Sequence, residues 1–464
     1  MLLGIKAGTW RSSAHFYLVA ALIVATALLG GSSRPDAGAL LLLRPVVVAL
    51  LGGVLLIAGG ADRAVARMPG MFLTLFAATI AAQLIPLPSQ LWLSLPGHGQ
   101  FAPSIGLAGP AAGWRPISLY PDLTLNALIA LLPAVVVVLG YVRLGPAQRL
   151  SLLPWLVAIA ALSAMLGLVQ ILGGGNSPAY LYRPTSQGLP VGLFANRNHQ
   201  AVFLALALAP LSVWGLRGSG KVALPIRLAL VVGGLLLFMP VIILTGSRSG
   251  LIMAFGVLLL LPWILRVSLK RRLGNTRSQI VTYAALAVVL LVVAVIGYMV
   301  SSDQATSISR LLDTNELRAE KRILAAPVMI QMLKDFFPVG LGYGAFEPVF
   351  RAYEPDALLT PTYFNRAHND VLELAMSGGL FTVAVMLLFA GWFLHRCIAL
   401  VRSNERGLPV IYARMSAVLI LGLILASITD YPVRTPMITA VFALACMWLE
   451  DSHRRVSKLA EREA

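Results

Sequence analysis

The chain has 464 residues, of which 58% are hydrophobic and only 12% are charged. Soluble globular proteins carry about 25% charged residues, so this composition excludes an ordinary soluble domain and indicates a protein that crosses a membrane many times. The net charge of +17 would suit a nucleic-acid partner, but the basic residues lie between apolar segments and do not form an aromatic-rich basic surface. We therefore expect no nucleic-acid partner.

Apolar segments of roughly 20 residues, long enough to cross a bilayer, recur along the whole chain. They predict an all-α polytopic membrane protein with about twelve transmembrane helices in a single integral membrane domain, residues 1–464. The first segment follows Lys6 and Arg11, but no clear cleavage site follows it, so we expect an uncleaved span. The predicted spans are 16–30, 38–58, 71–87, 123–142, 151–172, 200–216, 224–245, 250–265, 279–300, 369–395, 411–429 and 435–449.

The distribution of lysine and arginine predicts the orientation of these helices. Basic residues favour cytoplasmic loops, and every second connection of this chain is rich in them. Both termini are then cytoplasmic, including the tail 450–464. The opposite, outer face carries two larger loops, at about 88–122 and 301–368. The second loop is far longer than an ordinary connection, and its apolar spacing predicts amphipathic helices that lie across the outer surface.

Two arginine-bearing segments are predicted on the outer face. Asn196, Arg197, Asn198 and His199 precede the sixth span, where an arginine and the unpaired N–H groups of a helix start make an anion site. Arg248 lies in the tight turn LTGSRSGLI between two apolar helices. The alternative for both segments is a contact between arginine and lipid headgroups, with the polar residues capping a helix at the membrane surface.

A third polar segment, YFNRAHNDVLELAMSGGLFT, begins at residue 363 and opens the tenth predicted span. The helix dipole disfavours an imidazolium at a helix N-terminus, so we expect His368 to be neutral, as a general base must be. Glu373 lies about one turn further into the helix, where ionisable residues are rare and usually functional. Taken alone, a histidine at a helix start is more typical of a helix cap than of a catalytic base.

Patterns typical of metal or nucleotide sites do not occur in the sequence: HExxH, paired CxxC, acidic DxD and GxxxxGK[ST] are all absent. The two cysteines, Cys397 and Cys446, are too few for a disulfide framework and are expected to pack in the interior. The sequence therefore predicts a site without metal or cofactor, in which arginines and one histidine lie at the bilayer boundary. Such a set suits a lipid pyrophosphate.

These segments resemble the O-antigen ligase / Wzy-type polymerase superfamily. HNDVLELAMSGGLFT is similar to a family pattern in which a histidine and a polar residue, here His368 and Asn369, are followed after nine residues by glycine, here Gly379, and then by Thr382. LTGSRSG and FANRNHQA are similar to two further family segments, and the resemblance covers about residues 190–382. It implies a bacterial inner-membrane glycosyltransferase with its active site on the periplasmic side.

The resemblance also implies the reaction. A glycan linked to undecaprenyl pyrophosphate is transferred to an acceptor hydroxyl, with inversion and without a metal. His368 would be the base, and Arg197 and Arg248 would hold the pyrophosphate as it leaves. Asn369 would orient the histidine or a sugar, and Arg44 is either a membrane anchor or a further phosphate ligand. The substrate-binding residues expected beside these are Asn196, Asn198, Asn369, Arg366, Arg183, Arg310 and Glu373.

The acceptor distinguishes several activities. A ligase uses a lipid A–core sugar, and a polymerase of O-antigen, capsule or exopolysaccharide uses the end of another lipid-linked repeat. We expect the ligase type, while transfer to a protein hydroxyl and a twelve-span transporter are the remaining alternatives. The segment GGADRAVAR only partly matches a transporter loop signature, since Ala58 and Val65 replace its glycines. The polar residues also gather on outer loops and not at the bilayer midplane, where a transporter binds its substrate.

Overall fold

Most of the chain is described by a computed structural model, which covers residues 7–103, 113–183, 187–217, 222–265, 321–359, 363–403, 405 and 407–463. Helices make up nearly all of its regular structure. The α-helices are α1 Ala7–Leu29, α2 Leu40–Leu56, α3 Arg67–Ala82, α4 Ser89–Ser94, α5 Pro121–Ile129, α6 Leu132–Tyr141, α7 Pro146–Leu150, α8 Leu153–Leu172, α9 Arg197–Arg217, α10 Leu224–Leu244, α11 Arg248–Leu265, α12 Lys321–Phe336, α13 Phe346–Tyr353, α14 Asp370–Arg402, α15 Leu408–Thr429 and α16 Pro436–Glu463.

The predicted all-α polytopic membrane fold is confirmed. Within the described residues, eight helical segments are long and apolar enough to cross a membrane, and α1 and α2 supply shorter apolar stretches. Eleven of the twelve predicted spans coincide with helices of the structure. The twelfth, 279–300, lies outside the described residues, so the total of twelve stays a prediction.

Two predicted segments differ in detail from the structure. The span expected at 123–142 consists of two helices, α5 and α6, that break at residues 130–131. Pro133 explains the break, because it has no N–H to donate to the carbonyl of Ile129. The tail expected at 450–464 is the continuation of α16, which runs without interruption from the last predicted span to Glu463.

Successive long helices alternate in direction, so the bundle has two distinct ends. At one end, which we call the site face, Asn198 at the start of α9 contacts Asp430 just after α15. At the same end Met437, in the first turn of α16, donates its N–H to the carbonyl of Gly30 after α1. The site face therefore collects the starts of α9, α11, α14 and α16.

The opposite end of the bundle is held by the ion pairs of one buried arginine. Arg149, only 3% exposed, reaches Asp451 at 3.0 Å and Asp62 at 3.4 Å. The hydroxyl of Tyr141 donates to Asp451 at 3.1 Å, so one carboxylate of α16 joins two other segments. The arginine of this connection, predicted to be cytoplasmic, thus has protein partners, and these pairs position the second half of α16.

Two loop regions cover the site face and pack around a small core of their own. β1 Pro86–Leu87 and β2 Arg115–Pro116 form an antiparallel pair within and next to the loop predicted at 88–122. In the loop predicted at 301–368, α12 buries Met329, Met332 and Phe336 at helical spacing. The expected amphipathic character of this loop is therefore present in α12, whose buried stripe packs on the aromatic side chains of α13.

Helix α14 is kinked at Gly379, the glycine of the motif that begins with His368. Gly379 has φ 59° and ψ −145°, so the helical hydrogen-bond ladder is interrupted there. The carbonyl groups of Met376 and Ser377 instead accept hydrogen bonds from the N–H groups of Leu341 and Gly342, both at 2.9 Å. The connection between α12 and α13 is thereby docked into the break in α14.

Only glycine is compatible with this docking. The backbone angles of Gly379 are essentially restricted to glycine, and a Cβ atom there would overlap the carbonyl oxygen of Pro338. One turn further on, the hydroxyl of Thr382 is hydrogen-bonded to that of Tyr343, which lies on the docked segment. The motif glycine and threonine thus fix the loop onto α14, at some distance from the motif histidine.

We expect Gly379→Ala to destabilise the protein strongly. The backbone strain alone costs about 1–3 kcal/mol, and the overlap with Pro338 adds to it. Gly391→Ala is the matched control, because it lies on the same helix and a Cβ atom there meets no other atom within 4 Å. Thermal unfolding of the purified variants in detergent measures the difference. Equal unfolding temperatures for the two variants would contradict the proposed role of the kink.

Candidate active site

Asp430, directly after α15, is a buried acidic residue on which three polar side chains converge. Asn198 Nδ2 donates to Asp430 Oδ2 at 2.9 Å. On the other oxygen, His368 Nδ1 lies at 3.5 Å and His199 Nε2 at 3.7 Å. The backbone N–H of Tyr431 also donates to this oxygen, at 3.0 Å. One carboxylate therefore joins the starts of α9 and α14 to the end of α15.

The charge of Asp430 depends on these neighbours. Burial by itself raises the pKa of a carboxyl group, but the contacts with His199 and His368 outweigh burial and hold the pKa of Asp430 well below its usual range. The carboxylate is consequently ionised at neutral pH. It presents a fixed negative charge to the two ring nitrogens that face it.

Aromatic rings fix the orientation of both histidines. The ring of Tyr431 lies 4.9 Å from that of His368 and 5.3 Å from that of His199, measured between centroids. The ring of Phe364 lies edge-on to the ring of His368, with 6.4 Å between their centroids. His199 is almost fully buried, whereas the side chain of His368 is 18% exposed. His368 is therefore the member of the pair that a substrate can reach.

The backbone at His368 is unusual, and the next residue explains how it is held. His368 has φ 52°, a left-handed conformation that costs energy in a residue other than glycine. Asn369 is the N-cap of α14, and its Oδ1 accepts the N–H of Leu372 at 3.0 Å. The capping role, considered for His368 from the sequence, thus belongs to Asn369, and the sharp bend directs His368 toward Asp430.

Glu373 forms a second cluster just below the first turn of α14. It is 1% exposed and lies 3.2 Å from Arg366 and 3.1 Å from Arg434. Its other oxygen accepts the backbone N–H of Ala367 at 2.8 Å, and Arg434 also pairs with Asp370. Both oxygens of Glu373, which was predicted to bind substrate, thus have protein partners. Its structural effect is to hold two arginines at the site face.

The two predicted arginine-bearing segments are neighbours in the structure. Arg197 Nη1 donates to the carbonyl oxygen of Thr245 at 3.1 Å, in the turn that precedes α11. Gly250, in the first turn of α11, packs so closely on Ala201 of α9 that a Cβ atom would overlap it. The helix starts that carry Arg197 and Arg248 therefore lie side by side, and both arginines are half-buried.

The other residues predicted to bind substrate do not contact Asp430 in the part of the chain that the structure describes. Asn196 accepts the N–H of Asn198 at 2.8 Å and so shapes the start of α9. Arg183 is exposed on the connection between α8 and α9, and no contact in the described part of the chain joins it to Asp430. Arg310 lies outside the described residues, so its role stays a prediction.

Sequence reasoning did not select Asp430, Tyr431 or Arg434. All three lie in the short connection DYPVR between α15 and α16. One available signal was the acidic residue that directly follows an apolar span. Another was Arg434, a basic residue in a short connection of the predicted outer face. Within the described residues no group of three or more histidine, cysteine, aspartate or glutamate side chains is arranged to hold a metal ion.

Part of the chain matches a known protein family. Residues 233–387, about a third of the chain, match the family model described as O-antigen ligase. The matched segment contains Arg248, His368 and Gly379, while Arg197 and Asp430 lie outside it. No curated protein matches the chain. The match confirms the resemblance to the O-antigen ligase / Wzy-type superfamily and supports a multi-pass membrane enzyme that acts on lipid-linked glycans.

We expect Glu373→Ala to lower the stability of the protein by about 3–5 kcal/mol, because it removes the buried carboxylate shared by Arg366 and Arg434, which are only 12% and 19% exposed. Glu347→Ala is the control: its partner Arg351 is 60% exposed, so its loss should cost about 1 kcal/mol or less. Thermal unfolding in detergent compares the two variants. Similar small shifts for both would show that the Glu373 cluster does not stabilise the site face.

Proposed function

We propose that the protein is a membrane glycosyltransferase of the O-antigen ligase type. It transfers a glycan from undecaprenyl pyrophosphate to a sugar hydroxyl on the periplasmic side of the inner membrane, with inversion at the transferred sugar. The observation that carries the proposal is the position of His368. It is held by the buried carboxylate of Asp430 next to the two helix starts that bear Arg197 and Arg248.

His368 is the general base in this proposal. Its Nδ1 faces Asp430, so the carboxylate favours the tautomer with a proton on Nδ1 and leaves the lone pair on Nε2. Nε2 takes the proton of the acceptor hydroxyl as the oxygen attacks the anomeric carbon. The imidazolium that forms is stabilised by the negative charge of Asp430, as in other acid–histidine pairs.

The arginines act on the leaving group. As the new glycosidic bond forms, the bond between the anomeric carbon and the pyrophosphate oxygen breaks, and its electron pair leaves with the pyrophosphate. Arg197 and Arg248 present fixed positive charge beside the N–H groups of two helix starts, an arrangement that stabilises a developing phosphate charge. A single displacement of this kind inverts the configuration of the sugar.

We expect His368→Ala and Asp430→Asn each to lower the rate of glycan transfer by about 10²–10⁴-fold, the usual contribution of a general base. Purified protein is given a lipid-linked glycan and an acceptor, and the product is followed by gel or mass spectrometry. His395→Ala, an exposed histidine at the other end of α14, is the control and should retain activity. Unchanged transfer by the His368 variant would refute the proposed base.

The same assay identifies the acceptor class. A single addition to a lipid A–core acceptor is expected of a ligase, whereas a ladder of repeats formed without that acceptor identifies a polymerase. Product formation without an ion gradient separates both activities from transport.

We further expect Arg248→Ala and Arg197→Ala to lower the maximal rate by about 10²–10³-fold, because the charge of the departing pyrophosphate is no longer stabilised. Arg351→Ala removes an arginine that is 60% exposed, outside this cluster, and should leave the rate unchanged. If the Arg248 variant raises only the substrate concentration needed for half-maximal rate, the arginine binds the donor without assisting departure of the pyrophosphate.

A further inference from the structure

His199, in the first turn of α9, is a buried histidine that the proposed mechanism does not yet use. Its side chain is only 1% exposed, so an acceptor hydroxyl cannot reach it and it is not a second base. Among the residues that the structure describes, neither of its ring nitrogens makes a hydrogen bond of ordinary length. Burying a polar ring in this way is costly, so its position in the interior requires an explanation.

His199 faces the same carboxylate oxygen as the proposed base. Its Nε2 lies 3.7 Å from Asp430 Oδ1, and His368 Nδ1 lies 3.5 Å from that oxygen. Both distances are longer than an ordinary hydrogen bond, but the attraction between an N–H group and a carboxylate charge extends over them. Two imidazole rings from different helices therefore share one oxygen of a buried carboxylate.

This arrangement favours different tautomers for the two histidines. A proton on Nε2 of His199 and a proton on Nδ1 of His368 direct both N–H groups at Asp430. With either proton on the other nitrogen, a ring lone pair would face a carboxylate oxygen, which is repulsive. His199 is thus a donor to Asp430.

The orientation of His199 is fixed by aromatic rings and by its neighbour in the chain. Phe194 and Tyr431 lie edge-on to its ring, with centroids at 6.4 Å and 5.3 Å. The preceding residue, Asn198, donates to the other oxygen of Asp430, Oδ2, at 2.9 Å. Two consecutive residues at the start of α9 therefore hold the two oxygens of one carboxylate.

The charge of Asp430 depends more on His199 than on the base itself. Burial raises the pKa of the carboxyl group, and the contact with His199 is the largest of the effects that lower this pKa, ahead of the contact with His368. Loss of the His199 donor would therefore weaken the negative charge on which the orientation of His368 depends.

We propose that His199 is a positioning residue: with Asn198 it holds both oxygens of Asp430, so that the ionised carboxylate faces Nδ1 of His368. His199 does not touch substrate and acts on the base only through Asp430. The inference rests on the proposed function because it takes His368 as the base. The effect of His199 on Asp430 itself is independent of the reaction.

Substitutions of His199 test this role in the transfer assay. His199→Phe keeps a ring but removes the N–H donor, His199→Leu removes it with a smaller side chain, and His199→Gln retains an amide donor. We expect about tenfold lower kcat for the first two, the usual effect of losing a hydrogen bond to a charged group, with unchanged KM for both substrates. His199→Gln should regain most of kcat. His395→Phe, an exposed histidine, is the matched control and should keep both constants.

A double substitution distinguishes action through Asp430 from a general packing role. In protein that already carries Asp430→Asn, His199→Phe should lower kcat no further, because the charge on which His199 acts is gone. The same tenfold loss in both backgrounds would overturn the proposal. Unchanged kcat in both His199→Phe and His199→Leu would also overturn it.

Infrared spectroscopy tests the effect on Asp430 without turnover. The carbonyl band of a protonated carboxyl group is assigned to Asp430 by its loss in Asp430→Asn. On acidification this band should appear at a higher pH in His199→Phe than in the unchanged protein, because a group that lowers the pKa of Asp430 has been removed. Asn198, His368 and the backbone N–H of Tyr431, the other polar groups that face the carboxylate in the described residues, stay in place.

The two kinds of measurement separate the inference from the reaction. Equal titration of the band in His199→Phe and in the unchanged protein would refute the role of His199. A shifted band together with absent glycan transfer in the unchanged protein would refute the proposed reaction and leave the effect of His199 on Asp430 standing.

Discussion

The buried carboxylate of Asp430 is the group on which the architecture of the site depends. Removing an ion from water is costly, and the cost is offset here by Asn198 and by two histidines on different helices. Because these partners come from α9 and α14, the energy that keeps Asp430 ionised also holds the helix starts together. The same interaction thus fixes the tertiary structure and orients the ring of His368.

The motif HNDVLELAMSGGLFT combines two separate physical tasks. Asn369 and the bend at His368 start the helix and place the imidazole beside Asp430, whereas Gly379 and Thr382 receive the loop between α12 and α13. The nine helical residues between the two parts span about 14 Å. Their number therefore sets the distance between the histidine and the docked loop, which would explain a fixed spacing in the motif.

Sequence patterns predict the apolar helices and the residues of short motifs, because both depend on residues that are close together in the chain. The span at 224–245 and the turn at Arg248 are examples of such local information. Asp430 could not be selected in this way, since its partner Asn198 is 232 residues distant and only the folded bundle brings them together. Glu373 stands out in the sequence as a charge near an apolar segment, but its pairing with Arg366 and Arg434 depends on the folded bundle.

The arginines at the two ends of the bundle differ in what neutralises them, and this difference bears on function. At the opposite end Arg149 pairs with Asp62 and Asp451, so its charge holds helices together. At the site face the carboxylates are fewer than the arginines around the cavity between α2, α3, α14 and α16, and Arg44 has no partner among the described residues. Counting basic residues along the sequence cannot separate these cases, because the acidic partners come from distant helices. The positive charge at the site face is therefore a property of the fold, and it lies at the end of the bundle that holds His368.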